Sequence, residues 1–384
     1  MEDKFIPLSV PNLNGKELLY VTEAIKSEWV STAGPCIVDF EGALCSYVRS
    51  SYGVACQSGT AGLHLSLLAL GVQSGDEVIV PTLTFIAAVN PVRYVGAEPV
   101  FIDCDDSLTM DSVKLEDFCK NKCEFTDGIL INKETKKKVS AIIVVHVFGN
   151  LANMEDIMKV ASKFNIKVIE DATEALGSYY ITGEYKGNFA GSIGDIGVYS
   201  FNGNKIITTG GGGMIVSSSK KLADRCRYLS TQAKLDEVYF IHDEIGYNYR
   251  MTNLQAALGL AQLEQLEEFI ETKQINYNLY RNHGIKLLPF KANTRSNYWF
   301  YSYLTEYRDD LINYLHINHV QSRPIWQLIH TLHPYKKNIA FQIEKAQWYY
   351  ERVVNIPCST NLSLENLEKV CCLIKKFEKE HLCR

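Results

Sequence analysis

The sequence predicts an α/β protein with a large domain over residues 1–250 and a smaller α/β domain over 251–384. Three observations predict it. From about residue 50 to 220, short apolar runs alternate with helical stretches, the pattern of strands joined by right-handed crossovers in a mostly parallel sheet. Beyond Met251 the texture changes to a helix-like run of about thirty residues. Hydrophobic positions make up 46% of the 384 residues and charged ones 22%, enough apolar mass for one large core and a smaller one.

In chain order, Val78 to Val80 reads as a short strand, LTFIAAVNPVRYVGA (83–97) as a helix, and PVFID (99–103) as the next strand. AIIVVHVFG, from residue 141, is a continuous β-branched run, the mark of a strand buried on both faces. NMEDIMKVASKFN is an amphipathic helix, followed by strands at IKVIED (166–171), DIGVYSF (195–201) and GMIVSS (213–218). The run 252–284 begins at a candidate cap, Thr252 or Asn253, and stops at Gly284. The remaining hundred or so residues mix short strands and helices into the smaller domain, which the N-terminal segment joins.

Several function classes are set aside. The net charge is −5 with no Lys/Arg tract, so nucleic acid is not the expected partner. The most apolar stretch, 141–148, is too short to span a bilayer, and MEDKFIPLS lacks the pattern of a secretory signal. The 11 cysteines are scattered without zinc-ligand spacing. Reduced thiols, a cytoplasmic location and no metal site are expected.

Three segments carry candidate chemistry. In SFNGNKIITTGGGGM (200–214), Lys205 fails the phosphate-loop pattern, because Asn204 precedes it and Ile206 follows it. The glycines 210–213 lead into a strand, which excludes a dinucleotide turn. What remains is a lysine just past a strand end, where open α/β sheets place ligands. CQSGTAGLHLSLLALG (56–71) is a small-residue turn entering a helix. Its Ser58, Gly59 and Thr60 suit an anion site and an ordinary N-cap alike. VIEDATEALG (168–177) closes a strand on Glu170 and Asp171; the aspartate suits a metal ligand, a ribose binder, a counter-ion to a ring nitrogen or a cap. Together, a helix start for phosphate, a strand-end aspartate and a strand-end lysine are the parts that hold pyridoxal phosphate.

At this point the chain resembles the DegT/StrS family of sugar-nucleotide aminotransferases, within the fold-type I pyridoxal phosphate enzymes. The resemblance runs from about Ile6 into the C-terminal domain. It rests on SGTAGLHLSLLALG, PTLTFIAAVNP, VIEDATEALGSYY, GDIGVYSFNGNKIITTGGGGM and GYNYRMTNLQAALGLAQL, in that order. It implies a seven-stranded, mostly parallel sheet in the large domain. It implies that Lys205 binds the cofactor covalently and shuttles the proton, that Asp171 pairs with the pyridine nitrogen, and that Glu174 sits near the ring hydroxyl. Phe85 would stack on the ring; Gly59, Thr60 and Ser200, with Ser58, would hold the phosphate. Asn248 would reach the phosphate of the other subunit, which implies a homodimer with shared active sites.

Each role has a plainer rival: core packing for Phe85, a turn for Asn248, a satisfied core histidine for His146. Candidates for the substrate are Arg250, Trp29, and, in SRPIWQLIHTLHPY (322–335), Arg323, Trp326 and His330. The resemblance implies transfer of an amino group from L-glutamate to a nucleotide-linked sugar. The wording of the motifs is most similar to relatives that aminate C4 of a UDP- or GDP-linked 4-keto-6-deoxy-N-acetylhexosamine for legionaminic acid, or for bacillosamine. C3 amination is the alternative within the chemistry. A non-catalytic, cofactor-binding regulator is the alternative of another class.

Overall fold

The computed structural model describes residues 5–382 apart from Glu237. Its centre is an eight-stranded sheet. In spatial order the strands are Tyr52–Cys56, Gly213–Ser217, Ile196–Ser200, Lys167–Asp171, Val139–Val145, Glu77–Pro81, Glu98–Ile102 and Ala340–Phe341. The last six of these run parallel. Gly213–Ser217 runs against both of its neighbours. Seven strands are those implied for the large domain; the eighth, two residues long, arrives from the C-terminal part and extends the edge at Glu98–Ile102.

The β-branched run forms Val139–Val145, whose last five residues are all buried. It ends one residue before His146, and a 3-10 turn at Val147–Gly149 follows. The helix expected over 83–97 is instead a loop, a 3-10 turn at Ile86–Ala88 and a five-residue helix, Asn90–Tyr94. Pro91 opens that helix, where its missing N–H costs nothing, but it cannot lie inside a longer one. The 252–284 run divides at Glu264 and Gln265 into Asn253–Leu263 and Leu266–Asn282. Thr252 and Gln255 form a reciprocal capping box at its start. Gly284 takes φ +77 at its end, the left-handed stop that glycine adopts without strain.

The first of these helices packs on the N-terminal helices Glu17–Lys26 and Pro35–Val48. Farther on, Tyr301–Leu304, Val353–Ile356 and Arg323–Pro324 form a three-stranded antiparallel sheet with Val353–Ile356 in the middle. The N-terminal segment is stitched to it: the Ile6 amide donates to His319 O at 2.8 Å, and the Cys358 amide to Leu8 O at 2.8 Å. The ten cysteines among the described residues are free thiols. Among the described residues, no helix is long and apolar enough to cross a membrane.

Parallel strands deliver their last residues to one edge of the sheet. Asp171 and Ser200 are both terminal strand residues, and Val145 ends the strand beside Asp171. That edge is where an open α/β sheet forms its crevice.

Candidate active site

The crevice is a cavity of about 570 Å³, and eight of the predicted cofactor residues line it: Ser58, Gly59, Thr60, Phe85, Asp171, Glu174, Ser200 and Lys205. Arg323 and Trp326 line it from the small sheet's side. Four further candidates lie elsewhere.

At the floor, Ser58 caps the helix Gly59–Ala69 with its hydroxyl, which accepts from the Ala61 amide at 3.0 Å. The cap does not exclude an anion role, because the positive end of the helix dipole lies at the cavity, which Ser58, Gly59 and Thr60 line. Gly59 has a steric reason: a Cβ there would lie 3.0 Å from both Ser200 Cβ and Thr173 Cγ2. Gly213 packs the neighbouring strand on this turn, where a Cβ would lie 2.6 Å from Ser58 C.

Asp171 is buried, with its Oδ1 accepting from the Thr173 amide at 3.1 Å and no ion pair among the described residues. Burial raises its carboxyl above the ordinary range, against the lowering effects of Thr173, Lys205 and His146. Its neighbour Glu170 turns the other way and is fully used. It accepts from the amides of Gly191, Ile193 and Gly194 and pairs with His146 Nε2 at 2.9 Å. His146 Nδ1 in turn accepts from the Ala152 amide at 3.1 Å. His146 is a satisfied core histidine.

Lys205 has 13% of its side chain exposed and places Nζ 3.6 Å from Glu174 Oε1. The other Glu174 oxygen accepts from the Phe148 amide at 2.9 Å. Burial raises the Glu174 carboxyl to about 7, in spite of Lys205, whose charge lowers it. Trp299 was not singled out in the sequence, yet its ring centroid lies 4.1 Å from Lys205 Nζ, and its Nε1 donates to Asn204 O at 2.8 Å. The cation faces the electron-rich side of an indole. Trp326, Phe148 and Phe85 continue this aromatic wall, with centroids 4.7 Å apart for the first pair and 6.3 Å for Trp326 and Phe85. The aromatic run NYWFY was the available signal.

Arg250, His330 and Trp29 are corrected, and Asn248 lies outside this chain's cavity, as a residue meant for the other subunit would. Arg250 forms an ion pair with Glu41 and donates to Ala55 O at 3.2 Å, so its guanidinium is consumed by packing. His330 bonds Thr82 Oγ1 through Nδ1 at 2.6 Å and does not line the cavity, and burial lowers its pKa. Trp29 is exposed, away from the cavity, with its carbonyl accepting from Asn253 Nδ2 at 2.7 Å. Asn248 is exposed in a bridge to Thr231 and does not reach this chain's own pocket.

The residues fit pyridoxal phosphate. A lysine amine, a buried carboxyl lacking a cation, a helix start with hydroxyls and an aromatic face converge on one cavity.

Known proteins agree. GDP-perosamine synthase of Escherichia coli O157:H7 is 39% identical, with 97% of this chain and 99% of that one covered. UDP-4-amino-4,6-dideoxy-N-acetyl-beta-L-altrosamine transaminase of Campylobacter jejuni is 30% identical, with 95% of each covered. A Streptococcus pneumoniae chain solved in its PLP form superposes with a TM-score of 0.87 at 25% identity, covering 98% of this chain and 99% of that one. Residues 11–375 match the model of the DegT/DnrJ/EryC1/StrS aminotransferase family, and the chain belongs to it, a pyridoxal phosphate-dependent sugar-nucleotide aminotransferase.

Proposed function

We propose that the enzyme moves an amino group from L-glutamate to C4 of a nucleotide-linked 4-keto-6-deoxyhexose, with GDP as the carrier. The observation that carries the reading is the convergence of Lys205, Asp171, Glu174 and the Ser58–Gly59–Thr60 helix start on one cavity of about 570 Å³. That volume suits a cofactor with a sugar beside it. C4 is supported by the name of the Campylobacter relative, which carries its amine at that carbon. GDP is supported by the name of the 39% identical relative. The N-acetylated sugars of legionaminic acid and bacillosamine share the reacting carbon and differ at C2.

Bound here, pyridoxal phosphate supplies an electron sink for the carbon that exchanges its proton. The chain does the rest. Ser58, Gly59, Thr60 and Ser200 hold the phosphate, and Asp171 holds the proton on the ring nitrogen. Phe85, 52% exposed at the cavity wall, offers a ring face. Lys205 Nζ carries the proton to and from the reacting carbon. Trp299, buried behind Lys205, keeps water from the amine. Arg323 has no ion pair among the described residues and is the cation available to the substrate's anionic groups.

We place the second subunit against the hairpin of Lys234–Asp236 and Ile241–His242. Leu235, Tyr239, Phe240, Ile241 and Ile245 are all exposed there, an apolar patch that a homodimer would cover. Asn248 follows this hairpin and is the residue we assign to the partner's phosphate. Free thiols suit a reducing compartment, so the cytoplasm is the proposed location.

The test supplies cofactor and L-glutamate with GDP- and UDP-linked 4-keto-6-deoxyhexoses, each with and without a 2-acetamido group. NMR then places the new amine. An amine at C3 refutes the regiochemistry, and turnover of UDP sugars alone refutes the carrier.

A further inference from the structure

The resemblance set Glu174 near the ring hydroxyl; the geometry around it carries more. Its two oxygens have different surroundings. Oε2 accepts from the amide of Phe148 at 2.9 Å, and Phe148 is held at φ 57, ψ 20, a left-handed conformation that is costly for a bulky residue. The strain is locked from below. Asn297 Nδ2 donates to Glu174 O at 3.0 Å and to Leu176 O at 2.9 Å, while Ser178 and Ser296 hydroxyls both donate to Gly149 O. Oε1 is left facing Lys205 Nζ at 3.6 Å, with no other ion pair among the described residues. Trp299 closes the far side of the amine at 4.1 Å. The charged groups acting on Glu174 are Lys205 and Asp171, and the Phe148 amide is its remaining polar partner.

We propose that Glu174 is the proton partner of Lys205: Oε1 takes a proton from the Nζ ammonium and returns it, while Oε2 stays fixed on the Phe148 amide. One N–H bond breaks and one O–H bond forms, and an ion pair becomes two neutral groups. Burial favours the protonated form of Glu174, against the lowering effect of the Lys205 charge. A gap of 3.6 Å needs a small swing of the lysine to reach hydrogen-bonding distance, as is common before substrate binds. Burial also sets the Glu174 carboxyl at about 7, where a proton can be taken and released at neutral pH. The inference rests on the reading of Lys205 as the proton carrier, but not on any choice of sugar.

The test needs no substrate. Full-length apoenzyme is treated with cyanate across pH 5.5–9, and carbamylation of Lys205 is followed by peptide mass spectrometry. The wild type is expected to show a step in labelling rate centred at about 7, and Glu174→Gln is expected to lack it. A wild-type profile without that step overturns the proposal, whatever the variant does. In the holoenzyme, with its cofactor occupancy matched by absorbance titration, Glu174→Gln should lose roughly 10²-fold in kcat. The isotope effect with α-deuterated glutamate should rise, because proton transfer becomes limiting. Unchanged kcat and isotope effect would also overturn it. Failure to aminate any nucleotide sugar would count against the proposed substrate and leave the labelling result standing.

Discussion

Trp299 and Lys205 meet face to charge, with the lysine Nζ 4.1 Å from the indole centroid, although they lie on opposite sides of the long helical run that ends at Gly284. The same indole donates to Asn204 O, the residue just before the lysine, so it grips both the side chain and its loop.

Replacing Trp299 with Leu should therefore cost stability and turnover together. Loss of a buried Trp costs about 3 kcal/mol. Loss of a desolvated cation–π contact is worth about a factor of ten in kcat. Trp299→Phe keeps a ring and loses the indole N–H, for about 1 kcal/mol. Urea melts and steady-state assays of both variants check the order.

Lys205→Ala should abolish covalent capture of the cofactor and lower turnover by at least about 10⁴-fold. The protein should keep its fold, since Lys205 pairs only with groups at the cavity. An absorbance titration with the cofactor, beside a circular dichroism spectrum, gives the comparison. Full activity in this variant would remove the catalytic reading.

Asp103 predicts an acid-sensitive hold between the two ends of the sheet edge. It is buried. Burial alone would raise its carboxyl, but the Lys114 ammonium at 2.8 Å and the amides of Glu344, Lys345 and Ala346 bring it below the ordinary range. A folded value below the unfolded one, about 3.9, adds stability that is fully present above that pH. It is lost as pH falls through the folded value. Asp103→Asn should cost about 3 kcal/mol at neutral pH by removing the buried partner of Lys114, which keeps Glu344 at 3.1 Å, and should flatten the acid side of the stability curve. Thermal melts from pH 3 to 7 would show it.

The glycine run separates into two kinds of position. Gly213→Ala drives a Cβ to 2.6 Å from Ser58 C and 2.7 Å from Gly59 N, backbone atoms of the helix start. It should weaken cofactor binding by at least about tenfold, as overpacking costs about 1–3 kcal/mol. Gly210→Ala meets open space, and φ +78 alone sets its cost, about 1 kcal/mol of stability. Cofactor affinity should be untouched. Titrations of the two variants side by side decide between these roles.

The sequence displayed what is local. Continuous β-branched runs announced the buried parallel strands, and their terminal residues announced Asp171 and Ser200. The capping box at Thr252 and the helix start at Ser58 were equally readable, because each is settled within four residues. What stayed hidden depends on distant partners. No spacing rule joins Arg250 to Glu41 or His330 to Thr82, so residues that looked available for a substrate are spent on packing. Trp299 and Phe148 read as ordinary core aromatics until the fold sets one against Lys205 and turns the other's amide toward Glu174. The 83–97 segment looked helical because it is apolar, but Pro91 admits a helix only from that point onward.

The two-residue strand Ala340–Phe341 has a mechanical meaning. It ties the stretch after Arg323 and Trp326 to the edge of the large sheet, and the Ile329 amide adds a second tie to Thr82 O at 3.0 Å. On its other flank, the same stretch begins beside Val320, which is paired with Ile6. The wall bearing Arg323 and Trp326 is thus strung like a bridge deck between abutments rather than hung like a door. The stiffness of such a wall is set by the strength of its end anchors.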